Sequence, residues 1–324
     1  MPPPNIAQME LARHLDAGET VFLERELTFV MARVIQKDYP QLEAMLILPI
    51  DRSASPADRT ILWREFDATG LAKIVANYAS DLPRVDVFGE EHNVPIRSLG
   101  ASYGFSVQDV REAAKTGRSL EQRKATAART AIEQLKNRIG FNGDSTHGLL
   151  GLFTTPNTND VTAGTASASP NGTAWSSASG KTPDEILEDL TNLQDSVRNA
   201  TNGVHRATHL VIPANSFAFI KNTPRASGSD KSILTWFKDQ NPGIEIMDAF
   251  SFQVVTNLPS GASGSDSVAM AYVKDPDLLA FAIPMAFTQH PPESRNLEFI
   301  VNVEERVGGL IVWKPLTISF MEGV

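Results

Sequence analysis

Cysteine is absent from the 324-residue chain, which excludes disulfide bridges, cysteine-based zinc sites and a cysteine nucleophile. Long apolar runs are absent too, because no stretch approaches the roughly 18 apolar residues of a membrane span. The N-terminal sequence MPPPNIAQMELARHLDAGE lacks the basic region and apolar core of a secretory signal. We therefore expect a chain that is neither exported nor bound to a membrane.

Positive charge is scarce, since 29 lysine and arginine residues stand against 38 aspartate and glutamate residues and give a formal net charge of −9. The field of such a chain repels nucleic acid, so any contact with DNA should be local and non-specific. Hydrophobic residues make up 42% of the chain. A chain of this length buries roughly three quarters of its unfolded surface, so we expect it to fold without a metal or another cofactor.

Most motifs of catalysis are missing, including the P-loop, G-x-G-x-x-G and H-E-x-x-H. One match remains, the G-x-S-x-G pattern at Gly100–Gly104, in which Ser102 would be the nucleophile of a hydrolase. That motif needs a sharp turn from strand into helix, whereas an alternation of apolar and small residues continues through Ser102 to Val107. We expect Ser102 to lie on a regular strand, and a serine hydrolase remains a remote alternative.

Histidines and adjacent acids indicate little further chemistry. The histidines that follow the G-x-S-x-G pattern as possible bases are His147, His205, His209 and His290. His205 and His209 are four residues apart, but the sequence indicates no third metal ligand. The adjacent acids Glu90–Glu91 and Glu304–Glu305 diverge on any regular element and should be solvated. We therefore expect no catalytic residue, no cofactor-binding residue and no metal ligand.

Helix starts are marked by capping boxes, in which a side-chain oxygen and an acid or amide three residues later satisfy free backbone amides. They are Ser106 with Asp109, Ser119 with Gln122, and Thr182 with Glu185. The second predicts the longest helix, Leu120–Ile139, about 30 Å long. The third predicts an amphipathic helix whose apolar stripe consists of Ile186, Leu187, Leu190, Leu193 and Val197. Helical spacing before Tyr39–Pro40 predicts one or two further helices in an N-terminal arm.

Strand patterns occur on both sides of these helices. Thr60–Asp67 has strand-like content and Arg97–Val107 alternates cleanly, so we expect the two runs to pair as the stem of a hairpin. The residues between them would form a protruding loop of roughly 20 to 30 residues. In the second half, HLVIPANSFAFI predicts a strand and a short helix, and Leu297–Val303 alternates again. The mixture is typical of an α+β fold.

A polar segment separates the two central helices. Thr154–Gly180 is rich in Thr, Ser, Ala, Asn and Gly, with Asp160 as its only charged residue and Trp175 as its only aromatic residue. We expect a surface loop or a segment that a neighbour orders.

The region from Arg111 to Arg138 is locally basic. It contains three acids and eight basic residues, the latter being Arg111, Lys115, Arg118, Arg123, Lys124, Arg129, Lys136 and Arg138. Two interpretations remain open: these side chains form a solvated face with ion pairs, or they form a surface that faces acidic subunits or a phosphate backbone.

The order of these pieces resembles that of the major capsid proteins of tailed bacteriophages, of the lambdoid type. The stretches that carry the resemblance are VPIRSLGASYGFSVQDVREAA, LEQRKATAARTAIEQLKNRIGFNGD, THGLLGLFTTPN, THLVIPANSFAFI and RVGGLIVWKPLTISF. Each block alone is weak, but their order and spacing along nearly the whole chain are fairly specific. The resemblance implies an α+β tailed-phage major capsid fold with an N-arm, an extended E-loop hairpin, a peripheral domain with a long spine helix, and an axial domain.

The resemblance also implies how the chain is divided. The expected divisions are an N-terminal arm at 1–58, an E-loop hairpin at 59–105, a peripheral domain at 106–206 with the spine helix at 120–139, an axial domain at 207–284, and return strands at 285–324.

As a function, the resemblance implies hexamers and pentamers that close into an icosahedral shell around double-stranded phage DNA, assembled in the host cytoplasm and located in the virion capsid. The implied partners are further copies of the chain, portal and scaffolding proteins, decoration proteins in some cases, and packaged DNA through non-specific contacts, with no membrane. Because only about 50 residues precede the hairpin, we expect the scaffold to be a separate protein.

Two sets of residues are predicted to serve this function. Contacts between subunits are expected at Lys73, Tyr78, Arg84, Phe88 and Trp175. Basic residues that face the genome are expected at Arg118, Arg123, Lys124 and Arg129. The closest alternative shares the fold: an encapsulin-like compartment shell would enclose an enzyme cargo in place of DNA.

Overall fold

The computed structural model describes residues 42–69, 85–116, 120–167, 172–176, 180–255 and 267–324. The predicted helices of the N-terminal arm and the capping box at Ser119 lie outside these residues. Of the described helices, none combines the length and the hydropathy that a membrane span requires.

The described elements mix helices and strands, as predicted. The helices are α1 (Ala44–Ile47), α2 (Val107–Thr116), α3 (Leu120–Asn142), α4 (Pro183–Ala200), α5 (Ala214–Asn222) and α6 (Ile233–Gln240). The strands are β1 (Ile50–Asp51), β2 (Thr60–Thr69), β3 (Asp86–Pro95), β4 (Arg97–Ser106), β5 (Asn159–Thr162), β6 (His209–Pro213), β7 (Glu245–Ala249), β8 (Val268–Tyr272), β9 (Leu279–Ala282), β10 (Met285–Gln289), β11 (Glu293–Arg295), β12 (Glu298–Val307), β13 (Gly309–Val312) and β14 (Ile318–Glu322).

Strands β2 and β3 form an antiparallel hairpin in which Thr60 lies opposite Pro95 and Thr69 opposite Asp86. The predicted pairing of Thr60–Asp67 with Arg97–Val107 is wrong, because β3 occupies part of the segment predicted as a loop. Strand β4 pairs instead with β12 along its whole length. The physical reason is burial: the apolar face of β4 needs a core, and the hairpin offers none.

Helix α3 packs on one face of the β4–β12 pair. Leu99, Tyr103 and Phe105 of β4 share a core with Ala128 and Ile132 of α3. Strands β10 and β11 lie along the other edge of β12. The helix begins at the predicted residue and ends at Asn142 in place of Ile139. The capping box before α2 is confirmed, since the Asp109 amide donates to Ser106 Oγ at 3.0 Å.

Besides the sheet that contains β4 and β12, the fold has a five-stranded sheet with the order β5-β14-β8-β6-β7. Side chains of β8 alternate between two cores: Met270 and Tyr272 face the core that α3 shares, whereas Ala269 and Ala271 face α4 and α6. The predicted apolar stripe of α4 is confirmed, because all five of its residues are buried. Its capping box is confirmed too, since the Glu185 amide donates to Thr182 Oγ1 at 3.3 Å.

The glycine-rich turn after α3 depends on close backbone contact. Gly143 has φ +65° and its amide donates to the Ile139 carbonyl at 2.9 Å, which ends the helix in the left-handed conformation. A Cβ atom on Gly151 would lie 2.2 Å from the Gly143 nitrogen, so no larger residue fits there. The turn therefore fixes how the chain leaves α3.

The polar segment is better ordered than predicted. Strand β5 pairs in parallel with β14, and Ala163 and Ala166 are buried. The interpretation of Thr154–Gly180 as a surface loop is therefore wrong for β5 and for the buried residues Ala163 and Ala166, whereas Pro156 and Asn157 are exposed. Ordering of the segment by a neighbour stays a prediction. Small residues allow this burial, because they leave room for the backbone to pack against α4.

Helix α1 is held to the body by side chains at both of its ends. Glu43 accepts hydrogen bonds from the amides of Phe250 (2.8 Å) and Ser251 (3.0 Å). Tyr272 Oη donates to the Ile47 carbonyl at 2.6 Å, and Lys274 Nζ donates to the Leu46 carbonyl at 2.7 Å. These bonds fix the chain where the described part begins.

Candidate functional site

One face of the β2–β3 hairpin carries exposed apolar side chains on both sides of the Arg64–Glu91 ion pair. Successive residues of a strand point to opposite faces, so Leu62, Phe66 and Val87 share a face in the observed register. Their exposed fractions are 51%, 69% and 62%. A Cβ atom on Gly89 would lie 3.1 Å from Cε1 of Phe66, which shows that the ring lies across this glycine. Phe66 is therefore held in place while its outer face remains uncovered.

The base of the hairpin packs on the body through its other face. Ile61 and Trp63 contact a small core formed by Val94, Ala282 and Ile311. The Trp63 ring stacks on His92 with centroids 5.4 Å apart and meets the Trp313 ring edge-on at 6.5 Å. Towards its tip the same face becomes acidic, with Glu65 directly opposite Glu90.

A two-stranded ribbon is at best marginally stable in water when its faces are uncovered. Exposed apolar side chains of this kind indicate a surface that another molecule covers. We call Leu62, Phe66 and Val87 on one face of the hairpin, with Phe88 on the opposite face and Val85 just before β3, the hairpin patch; each is more than half exposed. The arrangement can supply apolar contact area and carboxylates, both of which suit protein association.

Sequence reasoning named only Phe88 among these residues, and its side chain is 64% exposed. Lys73, Tyr78 and Arg84 lie outside the described residues, and their roles stay predictions. The strand-like content of TILWREFD predicts a strand, but it does not show which of its faces is left uncovered, so it does not identify Leu62 and Phe66.

The prediction that Trp175 contacts a neighbouring subunit is wrong. Its side chain is 1% exposed, and Nε1 donates to Asp189 Oδ2 at 2.8 Å. The same carboxylate forms an ion pair with Lys181, whose Nζ also donates to the carbonyls of Gly164 (2.7 Å) and Thr173 (3.1 Å). The indole is needed inside the subunit, because it satisfies a buried carboxylate.

The predicted genome-facing residues divide into free and paired side chains. Arg118 lies outside the described residues, and Arg123 is exposed. Lys124 is partly buried, donates to the Gly104 carbonyl at 2.6 Å and lies over the Phe105 ring. Arg129 forms an ion pair with Glu133 at 2.8 Å. Of these three described residues, only Arg123 has no ion pair, side-chain hydrogen bond or ring contact within the described part of the chain.

The region of Ser102 has no nucleophile elbow. Ser102 is exposed on β4 opposite Asn302, and the strand continues regularly through it. It lines a shallow groove of about 770 Å³ together with His290 and Glu304, whose side chains pair at 3.5 Å. A regular strand holds the serine within the sheet surface and does not project its hydroxyl at a tight turn, as a hydrolase requires.

His205 and His209, which are four residues apart in the sequence, have different surroundings in the structure. His209 Nε2 lies 3.2 Å from Glu245 Oε2, and its pKa is lowered chiefly by burial and then by the charge of Lys274. His205 lines a different cavity with Val204 and Leu316. Across the described ranges, no three histidine or carboxylate side chains are grouped as metal ligands.

Comparison with known proteins agrees with this architecture. The profile of the family described as Major capsid protein matches residues 70–324. No curated protein sequence matches the chain. The fold is similar to that in "The capsid of Myoviridae Phage XM1", with a TM-score of 0.76 and 17% identity over 93% of this chain and 98% of that chain.

Two further structures are similar at lower scores. One is "Capsid of empty GTA particle computed with C5 symmetry", with a TM-score of 0.61 and 11% identity over 92% of this chain and 95% of that chain. The other is "Crystal structure of virus-like particle from Pyrococcus furiosus", with a TM-score of 0.51 and 17% identity over 85% and 90%. With the family match over more than half of its length, the chain belongs to the major capsid protein family and has the fold of tailed-phage major capsid proteins.

Proposed function

We propose that the chain assembles as hexamers and pentamers into an icosahedral shell that encloses double-stranded phage DNA. The observation that carries this proposal is the hairpin patch, which exposes apolar side chains that the subunit itself leaves uncovered. Membership of the major capsid protein family supports the same conclusion. Many modest contacts per subunit add up to a stable shell because each copy is held by several neighbours.

The hairpin is the part of the subunit best suited to reach a neighbour. It contacts its own body near Ile61 and Trp63, whereas Phe66, Val87 and Phe88 lie towards its tip and are exposed. We assign the E-loop to β2 and β3 and give β4 to the peripheral domain with α3, which shortens the expected division 59–105. The axial domain is proposed at 207–284, the arm at 1–58 and the return strands at 285–324.

The proposed partners are further copies of the chain, a portal protein, a scaffolding protein, in some cases decoration proteins, and packaged DNA. Assembly would take place in the host cytoplasm. Among the predicted genome-facing residues, Arg123 is best placed for non-specific DNA contact, because Lys124 and Arg129 are used within the subunit. A shell role needs no catalytic residue.

The direct test is negative-stain electron microscopy with size-exclusion chromatography, on the purified protein with and without a co-expressed scaffold. Closed shells, or rings of five or six subunits, are expected. A discrete monomer or dimer under every condition would count against the proposal. The content of the shells distinguishes a phage capsid from an encapsulin-like compartment. Nucleic acid is expected inside a capsid, whereas a co-purifying protein is expected inside a compartment.

A deletion tests the hairpin itself. Replacing residues 67–88 with Asn-Gly joins Phe66 to Gly89 through a two-residue turn that suits a hairpin. The base of the hairpin and its packing on Trp313 are retained. We expect a folded subunit that forms no shells; a shortened protein that still assembles would refute the role of the hairpin.

A further inference from the structure

The acidic face of the hairpin contains an unfavourable pair of like charges. Glu65 and Glu90 lie directly opposite each other, so their Cβ atoms are roughly 4.5–5.5 Å apart and the two carboxylates repel. His92 Nε2 lies 3.6 Å from Glu65 Oε2. Within the described part of the chain, Glu90 has no hydrogen-bond or ion-pair partner, and the Arg64–Glu91 ion pair lies on the opposite face of the hairpin. No lysine or arginine of the described residues therefore forms an ion pair with Glu65 or Glu90.

These carboxylates line a cleft of about 560 Å³ between the hairpin and the body. Trp63, His92 and Trp313 also line it, and the described lining residues include no lysine or arginine. Aromatic rings and carboxylates together favour a cationic side chain, since both attract positive charge. The cleft therefore suits a basic group from another molecule.

Helix α2 carries the complementary charges. Arg111 and Lys115 are both exposed and lie one turn apart, which places their Cβ atoms roughly 5–6 Å from each other. Neither contacts an acid within the described ranges, in contrast to Lys124 and Arg129 of α3. The spacing of this basic pair matches the spacing of the acidic pair on the hairpin.

We propose that the Glu65/Glu90 pair of one copy binds the Arg111/Lys115 pair of a neighbouring copy. The inference rests on the proposed assembly into shells and names one contact within it. Each subunit offers an acidic pair and a basic pair, so the contact is head-to-tail and can close into a ring. Local attraction of this kind is needed because copies with a net charge of −9 repel one another.

The contact can be tested with two charge-reversed proteins. The first carries Glu65→Lys and Glu90→Lys, so that both of its pairs are basic; the second carries Arg111→Glu and Lys115→Glu, so that both are acidic. Alone, each should need about tenfold more protein, or more, for half-maximal assembly, because like charges then meet across the interface. An equal mixture should restore assembly, because each protein supplies the charges that the other lost.

Light scattering and electron microscopy measure both outcomes. Alternation of the two proteins closes rings of six but not rings of five, so the mixture should form sheets or tubes more readily than closed shells. The matched control is Glu188→Lys with Asp195→Lys on α4, which makes the same change of charge at two exposed acids. It should assemble alone and should not complement the second protein.

Assembly of the unmodified protein separates a test of this contact from a test of the shell itself. If the unmodified protein assembles, and both reversed proteins assemble alone as well, or fail together in the mixture, the pairing is refuted. Normal assembly of the Arg111→Glu/Lys115→Glu protein with reduced DNA content also refutes it, because the basic pair would then serve phosphate. An unmodified protein that never assembles counts against the shell itself.

If a reversed protein fails to fold, neutral substitutions keep the test decisive. Glu65→Gln with Glu90→Gln should fold, since both side chains are solvent-facing. Salt screens the attraction at this contact and also the general repulsion between copies of net charge −9, so the two proteins are compared with each other. As salt rises, assembly of the unmodified protein should weaken relative to that of the neutral variant, which has no attraction there to lose. An unchanged salt dependence in the neutral variant would refute the pairing.

Discussion

Trp175 and Asp189 are joined by a buried hydrogen bond, in which the indole Nε1 donates to Oδ2 at 2.8 Å. Oδ1 of the same carboxylate accepts from the Gly164 amide at 2.9 Å, and Lys181 forms an ion pair with it. Every group of this cluster thus has a partner. The carboxylate of Asp189 on α4 therefore fixes two points of the segment Thr154–Gly180, Gly164 and Trp175, and also the lysine that follows the segment.

Asp189→Ala should lower the free energy of unfolding by about 3–5 kcal/mol, because Lys181 would be left charged and buried without its partner. Urea unfolding of the unassembled subunit, followed by tryptophan fluorescence, measures the change. Asp195→Ala, at an exposed acid on the same helix, is the matched control and should change the stability by less than about 0.5 kcal/mol. Equal effects of the two substitutions would show that the cluster does not stabilise the fold.

Phe66→Ser should separate assembly from folding. The side chain is 69% exposed, so its loss should change the free energy of unfolding by less than about 0.5 kcal/mol. Shell formation should nevertheless weaken strongly, because the hairpin patch loses its largest described contact on that face. Phe141→Ala is the contrasting variant, because it removes a ring stacked on Phe153 in the core. It should lower the free energy of unfolding by about 3–5 kcal/mol. Normal shells from Phe66→Ser would argue against the patch.

Glu43→Ala should loosen the attachment of α1. The side chain is 8% exposed and accepts two backbone hydrogen bonds, so its removal leaves two amides without their acceptors. We expect a loss of about 1–3 kcal/mol, measured by urea unfolding. Glu43→Gln keeps one acceptor oxygen and should lose less. If the two variants are equally stable, the carboxylate is not what holds the 250–251 backbone.

Glu185 should make stability depend on pH. Hydrogen bonds from Ser167 Oγ, then from the amides of Thr182 and Ser167, lower the pKa of this carboxyl from 4.5 to about 2. A depressed pKa stabilises the fold above the unfolded value, so this contribution is complete above about pH 5 and is lost as pH falls from 4.5 towards 2. Unfolding midpoints of Glu185→Gln should be flatter in that range than those of the unmodified protein. Parallel curves would show that the hydrogen bonds to Glu185 from Ser167 and Thr182 do not make stability depend on pH.

The sequence predicted helices and buried stripes more reliably than strand partners. The apolar positions of α4, from Ile186 to Val197, follow from spacing within one element, and all are buried. Strand pairing depends on residues far apart, so nothing near Arg97 showed that β4 would pair with Glu298–Val307. The same limit explains Trp175, because its partner Asp189 is visible only once the segment folds back on α4. An apolar residue in a polar segment indicates burial as readily as contact with a neighbour.

Ser102→Ala distinguishes a structural strand from a catalytic one. Ser102 is exposed opposite Asn302, with small residues beside it on β4, so alanine fits without strain and should leave folding and shell formation unchanged. We expect no esterase activity to be lost, because a regular strand does not present its serine as a nucleophile. Turnover of a chromogenic ester by the unmodified protein that disappears in Ser102→Ala would overturn this interpretation. His290→Ala is the companion variant, since a serine nucleophile also needs its base, and loss in both would identify the groove as an active site.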